Sequence, residues 1–183
     1  MNIGIIILII VILLVLWLIS AYNGLVSLRN KVKDQWAQID VLLKRRSDLI
    51  PNLVETVKGY AKHEEGTLEA VVAARNKMVA APSKEAEMEA SGELTGALNR
   101  LFALTEAYPD LKANQNFIDL QNNLKDTEDK ISYARQFYND SVLKYQNKIE
   151  MFPTNLVASM FGFKPEKFFE ATEKEKETPQ VKF

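Results

Sequence analysis

The chain has 183 residues, with 23 Lys+Arg against 24 Asp+Glu, no cysteine and one histidine, His63. Balanced charge leaves no basic field for nucleic acid, and the missing thiols exclude disulfides, thiolate nucleophiles and Cys-based metal sites. A single histidine excludes multi-His zinc sites and leaves any imidazole acid–base chemistry to His63 alone.

The first element is the run MNIGIIILIIVILLVLWLI. No residue before Arg29 carries a side-chain charge, and Ile3 to Ile19 is unbroken Ile, Leu, Val, Trp and one Gly. At about 1.5 Å per residue, a helix over residues 1–21 crosses a hydrocarbon core of roughly 30 Å. Ile3, Ile10, Leu14 and Ile19 are expected to meet lipid, with Trp17 and Tyr22 at the interface on the body side. A cleaved secretory signal would need a basic start, a shorter apolar run and a small-x-small site. The run has no basic start and Ser20-Ala21 is the only small pair nearby, so an uncleaved anchor is expected. Arg29, Lys31 and Lys33 follow the run and none of their kind precedes it, which predicts an outside N-terminus and a cytoplasmic body.

The body, residues 22–152, is dominated by a helical repeat. Tyr22, Leu25, Leu28, Val32, Trp36, Ile39, Leu43 and Ile50 are spaced by threes and fours, apart from a seven-residue step bridged by Arg46. Lys44, Arg45 and Arg46 are expected to end this helix by meeting its dipole. Ser47 and Asp48 then cap a second helix with Pro51 in its first turn. Its apolar face is Leu53, Val57, Tyr60, Leu68, Val71, Val72 and Met78. Ala80 to Ser91, with Pro82, reads as a loop with room for a helical turn. A third helix is predicted from about Gly92 to Ala107, ended by Tyr108-Pro109-Asp110. Asn114 or Asn116 caps a fourth, with Asp119 acting from the third position after Asn116. Phe117, Leu120, Leu124, Thr127, Ile131, Ala134, Tyr138, Val142, Tyr145, Ile149 and Phe152 form its stripe. The predicted fold is all-α: one N-terminal transmembrane helix followed by an antiparallel four-helix bundle.

Beyond Pro153, residues 153–170 concentrate phenylalanine. Phe161, Phe163, Phe168 and Phe169, with Phe152 before them, have three fates: covering the end of the bundle core, dipping into lipid headgroups, or meeting another subunit. Residues 171–183 are charged, almost coreless and expected to be disordered.

No constellation supports catalysis. His63-Glu64-Glu65 lacks a second histidine one turn on, so it is no zinc-protease helix. Lys44, Arg45 and Arg46 are candidates for anionic lipid or an acidic partner, although the dipole accounts for them. Tyr22-Asn23 and Tyr138-Asn139 are polar aromatics at the bundle seam, where buried hydroxyls find partners.

Three segments carry a resemblance. The run YNGLVSLRNKVKDQWAQIDVLLKRRSDLIPNLVETVKGYAKHE, the run EAYPDLKANQNFIDLQNNLKDTEDKISYARQFYND and the FP…FGF…FFE ending together resemble the LemA family. The resemblance implies a bacterial inner- or plasma-membrane protein with one N-terminal span, an outside N-terminus and a four-helix domain. It implies no catalytic residue, cofactor or metal. The resulting expectation is a non-enzymatic interaction or scaffold protein whose partners are the lipid bilayer and further copies of itself. The alternative is an accessory subunit bound to another membrane protein, such as a membrane protease.

Overall fold

A computed structural model of the chain describes residues 2–170, and every regular element among them is a helix. The elements are α1 (Ile3–Lys58), α2 (Glu65–Val79), α3 (Lys84–Thr105), α4 (Pro109–Lys112), α5 (Gln115–Glu150) and α6 (Thr154–Met160). The expected charged tail, 171–183, lies outside the described residues.

The largest departure from expectation is at Arg46. No new helix begins at Ser47 and Asp48; α1 runs through them and through Pro51 to Lys58. An interior proline costs about 3 kcal/mol, because it removes one backbone hydrogen bond and crowds the preceding turn. Ile50, Leu53 and Val57 on the same helix are at most 1% exposed. Burying each is worth roughly 1.5–3 kcal/mol, which outweighs the proline. The helix therefore continues, with Pro51 on its exposed side, and stops only where Gly59 follows Lys58. Tyr60 and Val72, expected inside, are exposed, and Ala61 is buried in their place.

The expected loop at Ala80–Ser91 is also mostly helix. Ser83 caps α3, its Oγ accepting from the Ala86 N–H at 3.2 Å. Glu85 and Glu87 in the first turn favour the positive helix end. Pro82 marks the residue before the cap and not the middle of a loop. Tyr108-Pro109 does end the third helix, but Pro109 then opens the single turn α4 as its first residue and seats Leu111 in the core. Asn114 caps α5, its Oδ1 accepting from the Phe117 N–H at 3.1 Å, while Asp119 Oδ1 accepts from Gln115.

The described chain divides into two compact units, to each of which α1 and α5 contribute. The first holds the residues up to Ala37 and Gln136–Phe168. Here Ala21, Leu25, Val157 and Ala158 form a small apolar cluster, with Leu18, Ile149 and Phe163 against it. Trp36 and Tyr138 meet edge to face at 5.6 Å between centroids. The segment after α6 runs back along α5 on three side-chain bonds. Tyr145 Oη donates to the Lys164 carbonyl, Gln146 Nε2 to that of Glu166 and Tyr138 Oη to that of Lys167, each at 2.9 Å.

The second unit holds Gln38–Arg135 with Phe169 and Glu170. Lys77 on α2 pairs with Glu93 on α3. A groove between these two helices is lined by Ala70, Ala73, Ala74 and Lys77 on one side and Glu93, Ala97 and Arg100 on the other. Small side chains there allow close approach. Phe102 and Phe117 meet edge to face at 6.5 Å.

The α5 stripe is buried from Phe117 to Tyr145, except that Leu120 is only partly covered. Ile149 is partly buried, and Phe152, placed on the stripe by spacing, is 80% exposed because α5 ends at Glu150. Ile131, 1% exposed, sits within the stripe. We expect Ile131→Asp to cost several kcal/mol by burying a carboxylate without a partner, and Val41→Asp, at a position 67% exposed, to cost about 0.5 kcal/mol or less. Thermal melting of the full chain in detergent checks both; equal melting temperatures would place Ile131 outside the core.

Candidate functional site

Arg46 is the largest fully buried side chain, 1% exposed, and every helix of the second unit longer than one turn reaches it. From α1, its Nη1 donates to Glu128 Oε2 of α5 at 2.8 Å and to Thr95 Oγ1 of α3 at 3.0 Å. Its Nη2 donates to Ser91 Oγ at 2.7 Å and to the Ser91 carbonyl at 3.2 Å, and lies 3.5 Å from Met78 Sδ of α2. Nε alone finds no partner. The planar guanidinium suits this work, because its donors leave in fixed directions. This corrects the reading of Arg46 as a surface contact for lipid or partner: it is a core residue. Its neighbours separate from it. Lys44 is exposed, and Arg45 lies 3.9 Å from Asp126 with both half in solvent, a pair that contributes little.

The second unit holds two clefts of note, the first of which is lined in part by Arg46. One, about 490 Å³, is floored by Leu98, Phe102 and Leu124 and rimmed by Asn99, Gln121, Asn122 and Lys125. The other, about 330 Å³, is lined by Asp40, Lys44 and Asp48 of α1, Arg75 of α2 and Glu87 of α3. In it burial, the charge of Asp40 and a hydrogen bond with Asp40 push the Glu87 carboxyl up to about 7. His63 is exposed in the turn after α1. Among the described residues no cluster of three or more His, Cys, Asp and Glu is placed to hold a metal ion.

The second place of interest is the aromatic end of the first unit. Tyr22 meets Phe161 edge to face at 4.8 Å and Phe163 at 5.7 Å. The Arg29 guanidinium lies 5.0 Å from the centroid of Phe163. Phe161 and Phe168 are exposed and Phe163 is partly buried. In the second unit, Phe169 is only 4% exposed beneath Arg135, whose Cζ is 4.5 Å from its centroid. Phe169 is therefore packed and not free to meet a partner. Ile3, Ile10, Leu14, Trp17 and Ile19 are all exposed, as is Tyr22. They lie on the one helix among the described residues that is long and apolar enough to cross a membrane.

The sequence profile of the LemA family matches residues 35–183. The chain belongs to the LemA family. Protein LemA of Metamycoplasma hominis is 28% identical over 158 residues, covering 84% of this chain and 71% of that one. Magnetosome protein MamQ 2 of Paramagnetospirillum magneticum is 24% identical over 179 residues, 84% of this chain. MamQ of Magnetospirillum gryphiswaldense is 24% identical over 178 residues, 83% of this chain. The matches span 66% and 65% of these two MamQ proteins, a little under two thirds of their length. This LemA-family chain is a membrane protein with an all-helical body.

Two outcomes follow from the buried charges. Removing Glu128 leaves the Arg46 guanidinium buried without a counter-charge, so Glu128→Ala is expected to cost about 3 kcal/mol. Arg46→Met keeps most of the volume, removes the charge and lets the half-exposed Glu128 hydrate, so it is expected to be nearly neutral. Denaturant melts of both variants test the asymmetry; an equal loss in both would show that the ion pair does not set the cost. Glu87 binds its proton more tightly folded, near 7, than its ordinary value of 4.5. Its stabilisation is thus fully present below about 4.5 and lost as pH rises through about 7. Glu87→Gln should melt like the parent at pH 5 and at a higher temperature than the parent at pH 8. A parent whose stability does not fall across that range would remove the effect.

Proposed function

We propose that the chain is a membrane-anchored, non-enzymatic scaffold at the bacterial inner or plasma membrane. One observation carries the reading: a single unbroken helix, Ile3–Lys58, leads from the lipid-facing run into the packed body. No flexible linker intervenes between the run and the first unit, so that unit is held at the bilayer at a fixed helical phase. Arg29, Lys31 and Lys33 behind the run support a cytoplasmic body and an outside N-terminus.

Self-association is part of the proposal. The run Ile3 to Ile19 has no small-xxx-small face and no polar side chain, so contacts between spans in lipid are weak. Phe137 and Leu143 on α5 are exposed, at 59% and 49%, and offer apolar helix flanks. Parallel anchors raise local concentration, which favours such contacts. A second reading, an accessory subunit, is favoured by the cleft above Arg46, whose apolar floor and amide rim suit a partner's side chain.

Light scattering on the full chain in mild detergent is expected to give a homo-oligomer that Phe137→Lys reduces toward monomer. A strictly monomeric parent at high micromolar concentration would sink self-association. A stoichiometric second protein that survives purification would favour the accessory role.

A further inference from the structure

The turn after α5 and the helix α6 carry an apolar surface that the anchor alone does not explain. Met151 to Phe163 contains no charged residue; Glu150 stands directly before it, with Lys148 two residues further back, and Lys164 follows it. One side of this stretch is packed: Thr154, Val157 and Ala158 of α6 are buried, the last two against Ala21 and Leu25 of α1. The other side is bare. Met151, Phe152, Leu156, Met160 and Phe161 are 62%, 80%, 58%, 67% and 49% exposed. Leu156 and Met160, one turn apart, lie well round the helix from Val157 and Ala158. A short helix that is apolar on both faces has two apolar neighbours, and α1 supplies only one.

Its level relative to the anchor identifies the other. The α6 cluster includes Leu18, which lies inside the apolar run, and Phe161 stacks edge-on against Tyr22 at its end. About 19 residues of helix from Ile3 to Tyr22 span roughly 29 Å, the depth of a hydrocarbon core. A segment whose Phe161 meets Tyr22, and whose Val157 and Ala158 share a cluster with Ala21, thus sits where acyl chains give way to headgroups. Exposed Lys148 and Lys164 can carry their charge to that boundary while their stems lie along it.

We propose that Met151–Phe161 is a second membrane contact, an interfacial element that lays Phe152, Leu156, Met160 and Phe161 into the headgroup–acyl boundary of the leaflet that α1 leaves. The proposal rests on the reading of α1 as a membrane span. Its occupant is phospholipid, because the bare face is continuous with the lipid-facing surface of the anchor. These phenylalanines and methionines fix the depth and rotation of the first unit, which one helix through a bilayer leaves free.

The chain has no cysteine, so a single introduced one reports its own position. The full chain is reconstituted in phosphatidylcholine–phosphatidylglycerol vesicles with a fluorophore on Phe152→Cys or Met160→Cys, both exposed sites. Ile10→Cys serves as the anchor reference. Phe137→Cys, fifteen residues back along α5 and about 22 Å away, serves as the reference outside the bilayer. Lipids with a nitroxide high on the acyl chain are expected to quench positions 152 and 160 several-fold more than 137. Quenching at 10 with iodide-accessible, lipid-shielded probes at 152 and 160 overturns the interfacial contact and leaves the anchor standing. Absence of quenching at 10 overturns the anchor reading and the proposal with it. Probes at 152 and 160 that neither quencher reaches, and that cross-link copy to copy, overturn it in favour of a second subunit on this face.

Discussion

The second unit depends on one buried charge whose two terminal nitrogens both have partners in place. Arg46 is taken from water on α1 and repaid by a carboxylate from α5, two hydroxyls and a carbonyl from α3 and a thioether from α2. Desolvating a guanidinium costs several kcal/mol, and an ion pair returns that only with good geometry and further hydrogen bonds. Arg46 has both. Its effect is therefore less on total stability than on choice. Apolar stripes at three–four spacing pack nearly as well after sliding one turn, about 5.4 Å. A guanidinium whose acceptors are fixed on two other helices does not survive such a slide. The register of α1, α3 and α5 follows.

That choice bears on the membrane reading through the continuity of α1. A helix that broke at Ser47 would leave Ile50, Leu53 and Val57 to a separate element. Continuing costs the proline penalty, and Ile50, Leu53 and Val57 on one buried stripe outweigh it. The same stripe begins at Ala21 and Leu25, directly behind the lipid-facing run. α1 is thus one helix that is exposed and apolar on every side at its start and carries a buried apolar stripe from Ala21 onward.

The features legible in the sequence were those carried by long, uninterrupted patterns. The apolar run and the stripe of α5 needed only periodicity, while position alone narrows the α5 cap to Asn114 or Asn116 and the structure decides for Asn114. The misreadings came where a local signal opposed a tertiary one. Lys44-Arg45-Arg46 followed by Ser47-Asp48 and Pro51 is a strong helix-stop pattern in isolation, yet Arg46 fills the gap between Leu43 and Ile50 in the core spacing. A charge at a stripe position was the available clue to its burial. Ser91, Thr95 and Glu128 gave no such clue, because their role exists only once three helices meet. Pro82 drew attention from Ser83, a better cap than the loop reading allowed. Among the phenylalanines, composition could not separate Phe169, buried under Arg135, from Phe152, which is bare.

The placing of α6 also depends on the residues that flank it. An apolar turn at a chain bend could swing, and its bare face would then point anywhere. Gly162, with φ of 68°, lets the chain leave α6 in the left-handed conformation that a side chain disfavours. The segment beyond it is then tied down by Tyr145, Gln146 and Tyr138, whose side chains satisfy three backbone carbonyls that no helix or strand serves. On its other side α6 is held by Thr154, whose hydroxyl lies 2.7 Å from the Lys148 carbonyl and 2.9 Å from that of Met151. With both ends fixed and Val157 and Ala158 seated on α1, the direction of Phe152, Leu156 and Met160 is set by the fold. The tyrosines on the α5 stripe thus do two jobs: their rings fill the core of the first unit, and their hydroxyls hold the segment that aims its apolar face.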